Sequence, residues 1–349
     1  MTRRMFLEAA GRSAALPFAA AAVAGREARG AGTTAATEMG IASTSYMMFR
    51  KPRDTYEFLE HCHSLGAAGI QAAINGDPER IRKRAEELGM YVEAMVPLPK
   101  GGSTADFEQR LQSAKAAGAV ALRAGALSGR RYETFASLED WQKFVADAHH
   151  SVELAVPLLE KHRLRMGLEN HKDWTIDEHV ALLKKYSSEY LGACIDFGNN
   201  ISLLDDPSEV VERLAPYAVT THVKDMAVEG CPEGFLLSEV PLGAGILDMT
   251  RLIEVVRRAK PNVRLSLEMI TRDPLLVPCL TDKYWVTFPD RNGRFLARTL
   301  RFVEKNTQHG KELPRVAQLS SDAQMAKEES NVVTSLAWAR VHVPAGKNA

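Results

Sequence analysis

The sequence predicts an α/β protein of one domain, a (β/α)8 TIM barrel. Three observations predict it. Short apolar runs alternate with helical patterns until eight strands have been counted, which is the arithmetic of that barrel. The last four runs each stop abruptly at an ionisable residue. No Gly-rich phosphate fingerprint follows the first strand, as an open doubly wound sheet would invite. A length of 349 residues holds a barrel of roughly 250 with insertions and tails to spare.

The N-terminus is set aside before the fold is read. Thr2-Arg3-Arg4-Met5-Phe6-Leu7 is close to the twin-arginine export pattern of bacteria, an Ala-rich stretch runs from Ala14 to Ala24, and Ala22-Val23-Ala24 offers a cleavage site. The stretch is too short and too small-residued for stable membrane insertion. Residues 1–24 are therefore expected to be an export signal, and the mature protein periplasmic or otherwise exported. Residues 25–38 read as a Gly/Ala/Thr linker.

The barrel is expected over residues 39–306. Met39–Tyr46 is the first strand. Asp54 caps the helix that follows, with Glu57 completing a capping box, and Gly66 ends it. Ile70–Ile74 is the second strand, and Asp77-Pro78 opens the next helix with Pro at its first position. Tyr91–Pro97 is the third strand, Asp106–Ala117 a helix stopped by Gly118, and Val120–Arg123 the fourth strand. After a loop containing Arg130, Arg131 and Tyr132, Ser137 and Asp140 box a long helix reaching His162. Its apolar residues Trp141, Phe144, Val145, Ala148 and Val152 keep mainly to one face, and His149-His150 reads as helix surface. Leu164–Glu169 is the fifth strand, and Thr175 and Glu178 box the helix Ile176–Tyr186. Leu191–Asp196 is the sixth, Asp206-Pro207 opens another helix, and Tyr217–His222 is the seventh. A long insertion ends in Leu242-Gly243-Ala244-Gly245-Ile246-Leu247-Asp248. A helix to Ala259 then leads to Val263–Glu268, the eighth strand. Asp290–Asn306 closes the barrel. Residues 307–349 form a polar, mixed tail with a helix near Asp322–Ala339, which packs on the barrel or on a second subunit, so a homo-oligomer is compatible with the sequence.

Composition narrows the partners. Lys+Arg 44 balances Asp+Glu 44, which argues against a nucleic-acid partner, since such partners leave a basic excess. Of the cysteines, Cys231 and Cys279 both fall in predicted loops and are the pair placed to join in an oxidising compartment.

Function is read from the four strand ends: Glu169, Asp196, His222 and Glu268. All eight strand C-termini of a barrel converge on one face, so these residues meet although tens of residues separate them. A lone strand-end acid is more often a helix cap or a surface group. Three carboxylates together, however, repel one another unless a cation neutralises them. One divalent ion is therefore expected. An imidazole among carboxylates suits Mn²⁺ first, and also Co²⁺, Mg²⁺ or Zn²⁺.

These residues also carry a resemblance. Leu168-Glu169-Asn170-His171, Ile195-Asp196-Phe197-Gly198-Asn199, His222-Val223-Lys224-Asp225, the segment Leu242–Asp248 and Leu267-Glu268 resemble the sugar isomerase/epimerase family of xylose-isomerase-like barrels. The likeness runs from about Met39 to Asn306. It places the metal ligands on Glu169, Asp196, His222 and Glu268, with both glutamates doubling as acid and base on opposite faces of the substrate. It implies isomerisation or epimerisation of an unphosphorylated keto sugar through a metal-stabilised enediolate. The alternative is decarboxylation or elimination of a 3-oxo sugar acid or 3-oxo glycoside. An endonuclease-IV-like phosphodiesterase and a non-catalytic sugar-binding barrel are remoter alternatives.

Further residues are expected around the substrate. His171 and Lys172 follow the first ligand, Lys224 and Asp225 the third, and Gln71, Glu93 and Arg123 lie at or near the second, third and fourth strand ends. Arg123 suits a carboxylate-bearing or keto substrate. Asn199 and Asn200 are expected to hold the turn after Asp196. The Gly243 and Gly245 amides suit an anion or a tight turn. Met226–Val240, residues 270–289 with Tyr284, Trp285 and Phe288, and the segment around Tyr132 are expected to form a lid with aromatic faces for sugar rings.

Overall fold

Strands with no polar face need cover on both sides, and this chain supplies it one helix at a time. In the computed structural model the described residues are 37–307 and 313–343. The export-signal expectation over residues 1–24 lies outside them, as does most of the linker. β1 (Met39–Ala42) passes through a 3-10 turn at Ser43–Tyr46 into α1 (Thr55–Ser64). β2 (Gly69–Ala72), α2 (Pro78–Leu88), β3 (Tyr91–Met95), α3 (Ala105–Ala116) and β4 (Ala121–Ala124) follow. α4 (Arg131–Thr134) is a single turn before the long α5 (Leu138–His162). Then come β5 (Met166–Glu169), α6 (Ile176–Tyr186), β6 (Leu191–Asp196), α7 (Pro207–Leu214) and β7 (Ala218–His222). A hairpin of β8 (Asp225–Cys231) and β9 (Gly234–Val240) precedes α8 (Met249–Ala259) and β10 (Leu265–Leu267). β11 (Leu275–Val277), α9 (Asp282–Trp285), α10 (Gly293–Asn306) and α11 (Ser321–His342) complete the described chain.

Eight parallel strands lie in the order β10-β1-β2-β3-β4-β5-β6-β7. The seam is spanned where Val223 N–H donates to Ser266 O (2.8 Å) and Glu268 N–H to Val223 O (3.0 Å), so the sheet is a nearly closed TIM barrel. Tyr91 crosses the barrel floor. Its hydroxyl donates to Leu265 O and accepts from Gly40 N–H, both at 3.0 Å. A Cβ on Gly40 would meet that hydroxyl at 2.3 Å, so only glycine fits there.

Local signals set most boundaries. Thr175 and Glu178 form a complete reciprocal capping box. At α1 only half of the expected box forms. Asp54 accepts from Glu57 N–H at 2.7 Å, but Glu57 turns back to Arg53, which offers both a backbone and a guanidinium donor.

The insertion departs from expectation. Met226–Val240 is no loop but most of an antiparallel hairpin, which pairs through β9 with β11 in a separate three-stranded sheet. The proposed lid aromatics are part of its packing. Tyr132, Tyr284 and Phe288 are 3 % exposed or less and share an apolar cluster with Met226, Phe235 and Val277. Tyr284 stacks on Phe288, its ring centroid 5.0 Å away. These rings fasten the insertion to the barrel instead of offering faces to a sugar. Cys231 and Cys279 are free thiols, so the anticipated pairing is not made. The tail helix α11 packs on the barrel, burying Val332, Leu336 and Ala339 in the main core.

Candidate metal centre and substrate cavity

Parallel pairing in register decides which side chains enter the barrel together. Arg123 pairs with Gly167, two residues before Glu169, and Asp196 pairs with His222. Inward positions recur every second residue along a strand. Arg123, Glu169, Asp196, His222 and Glu268 therefore form one upper layer. Glu93, Thr220 and Ser266 lie one layer deeper.

The upper layer brings four donors together. One ligand atom each from Glu169, Asp196, His222 and Glu268 lies within 4.8 Å of the others, and none of the four residues is more than 3 % exposed. His222 Nδ1 is 3.1 Å from Glu169 Oε1, 3.3 Å from Glu268 Oε1 and 4.0 Å from Asp196 Oδ2.

Gln71 and Glu93 do not line the cavity; they set the tautomer of His222. Glu93 Oε2 accepts from Gln71 Nε2 (2.9 Å), Thr220 Oγ1 (2.7 Å) and Ser266 Oγ (2.9 Å). With its nitrogen so engaged, Gln71 turns its oxygen to His222 Nε2. That nitrogen must then carry the proton, leaving a lone pair on Nδ1. Burial pushes His222 below the ordinary imidazole value, toward the neutral ligand form. Four lone-pair donors thus converge on one small volume. A cation is the species that reconciles them, and the donor set fits a divalent ion.

Two cations of the chain already lean on this cluster. Arg123 Nη2 donates to Glu169 Oε2. Lys224, 1 % exposed, pairs with Asp196 Oδ2 at 2.8 Å and donates to Glu268 Oε2. Burial opposes ionisation of Glu268, yet the Lys224 ammonium against it holds its carboxyl well below the usual range. Lys224 is thus expended on the ligands and does not line the cavity.

The turn after β6 completes the frame. Asp196 Oδ1 accepts from Gly198 N–H (2.9 Å) and Asn199 N–H (2.7 Å). Asn199 holds that turn and also reaches the site, donating to Glu169 Oε1 at 3.2 Å. Asn170 exchanges bonds with the Asp196 backbone, both 2.8 Å, tying two ligand-bearing strand ends together. Asp225 does not line the cavity. Its carboxylate accepts from the amides of Gly243 (3.0 Å), Gly245 (2.9 Å) and Leu247 (3.2 Å), so that loop binds an anion of its own chain.

Above the ligands opens a cavity of about 1050 Å³. Glu268, Arg123, His171 and Lys172 line it, joined by Thr44 and Arg272, which the sequence reading missed. His171 is half-buried with Nδ1 unpartnered, and burial, Lys172 and Arg123 push its imidazole well below the ordinary value. Thr44 Oγ1 donates to Glu268 Oε1 at 2.8 Å. Arg272 pairs with Glu239 at 2.9 Å. Thr44 follows a strand whose polar end carried no acid to mark it, and Arg272 comes from an excursion after β10. Neither had a sequence signal comparable to the ligands.

Known proteins agree with this architecture. The family profile described as xylose isomerase-like TIM barrel matches residues 59–286. A 3-oxo-isoapionate decarboxylase of Pectobacterium atrosepticum is 28 % identical over 204 residues, covering 58 % of this chain and 69 % of that protein. Among solved structures, a D-psicose 3-epimerase crystallised with D-fructose superposes with a TM-score of 0.56 at 16 % identity, covering 88 % of this chain and 99 % of that one. A xylose isomerase-like barrel protein of Mycobacterium smegmatis, in complex with magnesium, gives 0.50 at 16 % identity, covering 76 % and 98 %.

Proposed function

The chain belongs to the xylose isomerase-like TIM barrel family, and we propose that it is a divalent-metal-dependent enzyme that isomerises or epimerises an unphosphorylated keto sugar or sugar derivative. The observation that carries this reading is the meeting of Glu169, Asp196 and Glu268 with the Nδ1 lone pair of His222. Glu169, Asp196, His222 and Glu268 would hold a divalent ion, and it would supply Lewis-acid stabilisation of negative charge developing on a substrate carbonyl oxygen.

The side chains do the rest. Glu169 and Glu268 approach from separate strand ends, so Glu169 takes the proton from the substrate carbon and Glu268 returns one from the other face. Glu268 needs a proton source to act as donor, and the Lys224 ammonium and the Thr44 hydroxyl both touch it. Arg123 pairs with Glu169 and holds its carboxylate in place.

One observation favours a second reading. Arg123, Lys172 and Arg272 all face the cavity, a lining that suits a carboxylate. Decarboxylation of a 3-oxo sugar acid reaches the same enediolate by losing CO₂, and the 28 %-identical relative bears a decarboxylase name. Turnover of keto sugars and 3-oxo sugar acids by the Mn²⁺-loaded protein in D₂O, followed by NMR, separates the two. Deuterium on a retained carbon skeleton supports epimerisation, and released CO₂ supports decarboxylation. No turnover of either class would contradict both.

Export belongs to the same proposal. Mass spectrometry of the mature N-terminus would find it after Ala24 if the signal is processed, and at Met1 or Thr2 if it is not.

A further inference from the structure

From the shape of the cavity we infer that the substrate carries a second, largely apolar group on its sugar ring, and that the outer half of the cavity is the subsite for it. This rests on the keto-sugar reading and specifies its substrate class as a glycoside with an aryl or alkyl aglycone.

A hexose has about twelve non-hydrogen atoms and, at the density of organic solids, fills on the order of 200 Å³. The cavity offers about 1050 Å³. Its extent is also directional. One end is at Glu268, Arg123 and His171 inside the barrel, and the other reaches Ala148 and Ser151 on α5. α5 belongs to the outer helix layer, so the cavity crosses a strand–helix layer, a span on the order of 10 Å. A single sugar ring held at the metal ligands leaves that outer part unfilled.

The two ends differ in chemistry. The inner end gathers Arg123, Lys172, Arg272 and Glu268. The outer end is walled by Leu98, Pro99, Leu127, Phe144 and Ala148, with Lys100, Asp147, His150 and Ser151 at its polar, solvent-open edge. Phe144 is a fixed wall: its ring centroid lies 5.3 Å from Trp141 and 5.2 Å from Phe135. An aromatic side chain packed against two other rings matches a flat or apolar substituent, since little side-chain entropy is lost on contact. His150 is exposed on the helix surface, as the sequence suggested, and stands at this open edge. The occupant is taken to be part of the substrate because the outer half is continuous with the space above the ligands.

The test compares two probes on the Mn²⁺-loaded full chain by calorimetry: 3-oxo-D-glucose and phenyl 3-oxo-β-D-glucopyranoside. The phenyl glycoside should bind at least about tenfold more tightly. Ala148→Phe should fill the outer half, removing that advantage while leaving the free sugar's Kd unchanged. Ser151→Phe, at a less buried position on the same helix, makes the same test without loading the core. Equal affinity of the wild-type protein for both probes, or equal weakening of both by the two variants, would overturn the subsite alone. Binding of neither probe would overturn the keto-sugar reading and the subsite with it.

Discussion

Gln71 decides what His222 can do. Its amide is oriented by Glu93 and Thr220, and it fixes the proton on Nε2. Gln71→Leu removes that acceptor without touching a ligand, so it should weaken Mn²⁺ binding by about 10- to 100-fold. Calorimetric titration of the chelator-treated variant checks this, and an unchanged affinity would show that the tautomer is set elsewhere. Lys172 offers a second test at the same scale. It is 4 % exposed, and burial, with Lys224 and Arg272 adding to it, pushes its pKa down to about 7 from 10.5. Between those values the unfolded chain binds the proton and the folded one does not, so stability rises with pH across that window. Lys172→Met should therefore raise Tm most below pH 7, and its advantage should shrink as pH climbs toward 10.5. Paired thermal melts at pH 6, 8 and 10 measure it, and a pH-independent difference would contradict the assignment.

At the scale of elements, α11 is a clamp on the rim of the barrel. Glu328 is fully buried and accepts from the amides of Met48 (3.3 Å), Phe49 (3.2 Å) and Arg50 (2.8 Å), the loop that carries Thr44 and Met47 into the cavity. One turn on, Asn331 donates to Thr271 Oγ1 at 2.8 Å, and Ser335 accepts from Leu242 N–H at 3.2 Å. Residues spaced three and seven apart lie on one helix face, so a single polar ridge holds three rim loops. Glu328→Ala orphans three amides and should cost about 1–3 kcal/mol, with faster hydrogen exchange at residues 48–50. Glu328→Gln keeps an acceptor and should fall between. Exchange unchanged in both variants would mean that the loop holds itself. The sequence marked this helix within a few residues but not its docking place, because its buried face mixes Glu328, Asn331 and Ser335 with aliphatics. The hairpin β8–β9 was missed although Pro232-Glu233-Gly234 is a turn signal between two extended runs. Its neighbours, Gly-rich and polar, read as loop.

Across the whole molecule, legibility follows from what an apolar strand can tolerate. An acid or imidazole ending a buried run stands out in one dimension, so the barrel and the residues that meet at its mouth are legible in the sequence alone. Depth could not. Gln71 and Glu93 point inward like the ligands but sit a layer below them, because β3 continues two residues past Glu93 to Met95, whose partner is Arg123. Strand stagger of that kind is a property of the closed sheet and leaves no trace in a single strand. Nor could the cavity's cations be foreseen as a group, since Arg272 arrives from beyond the last barrel strand.

The central claim is that four side chains share one cation. Chelator-treated full-length protein titrated with Mn²⁺ tests it most directly, read by calorimetry and by Tm. The account predicts saturation at one ion per chain and a stabilisation of about 2.7 kcal/mol once free ion reaches a hundred times Kd. Both should be abolished in Asp196→Ala and in His222→Ala. Absence of saturable binding by the wild-type protein, or binding undiminished in those variants, would contradict it.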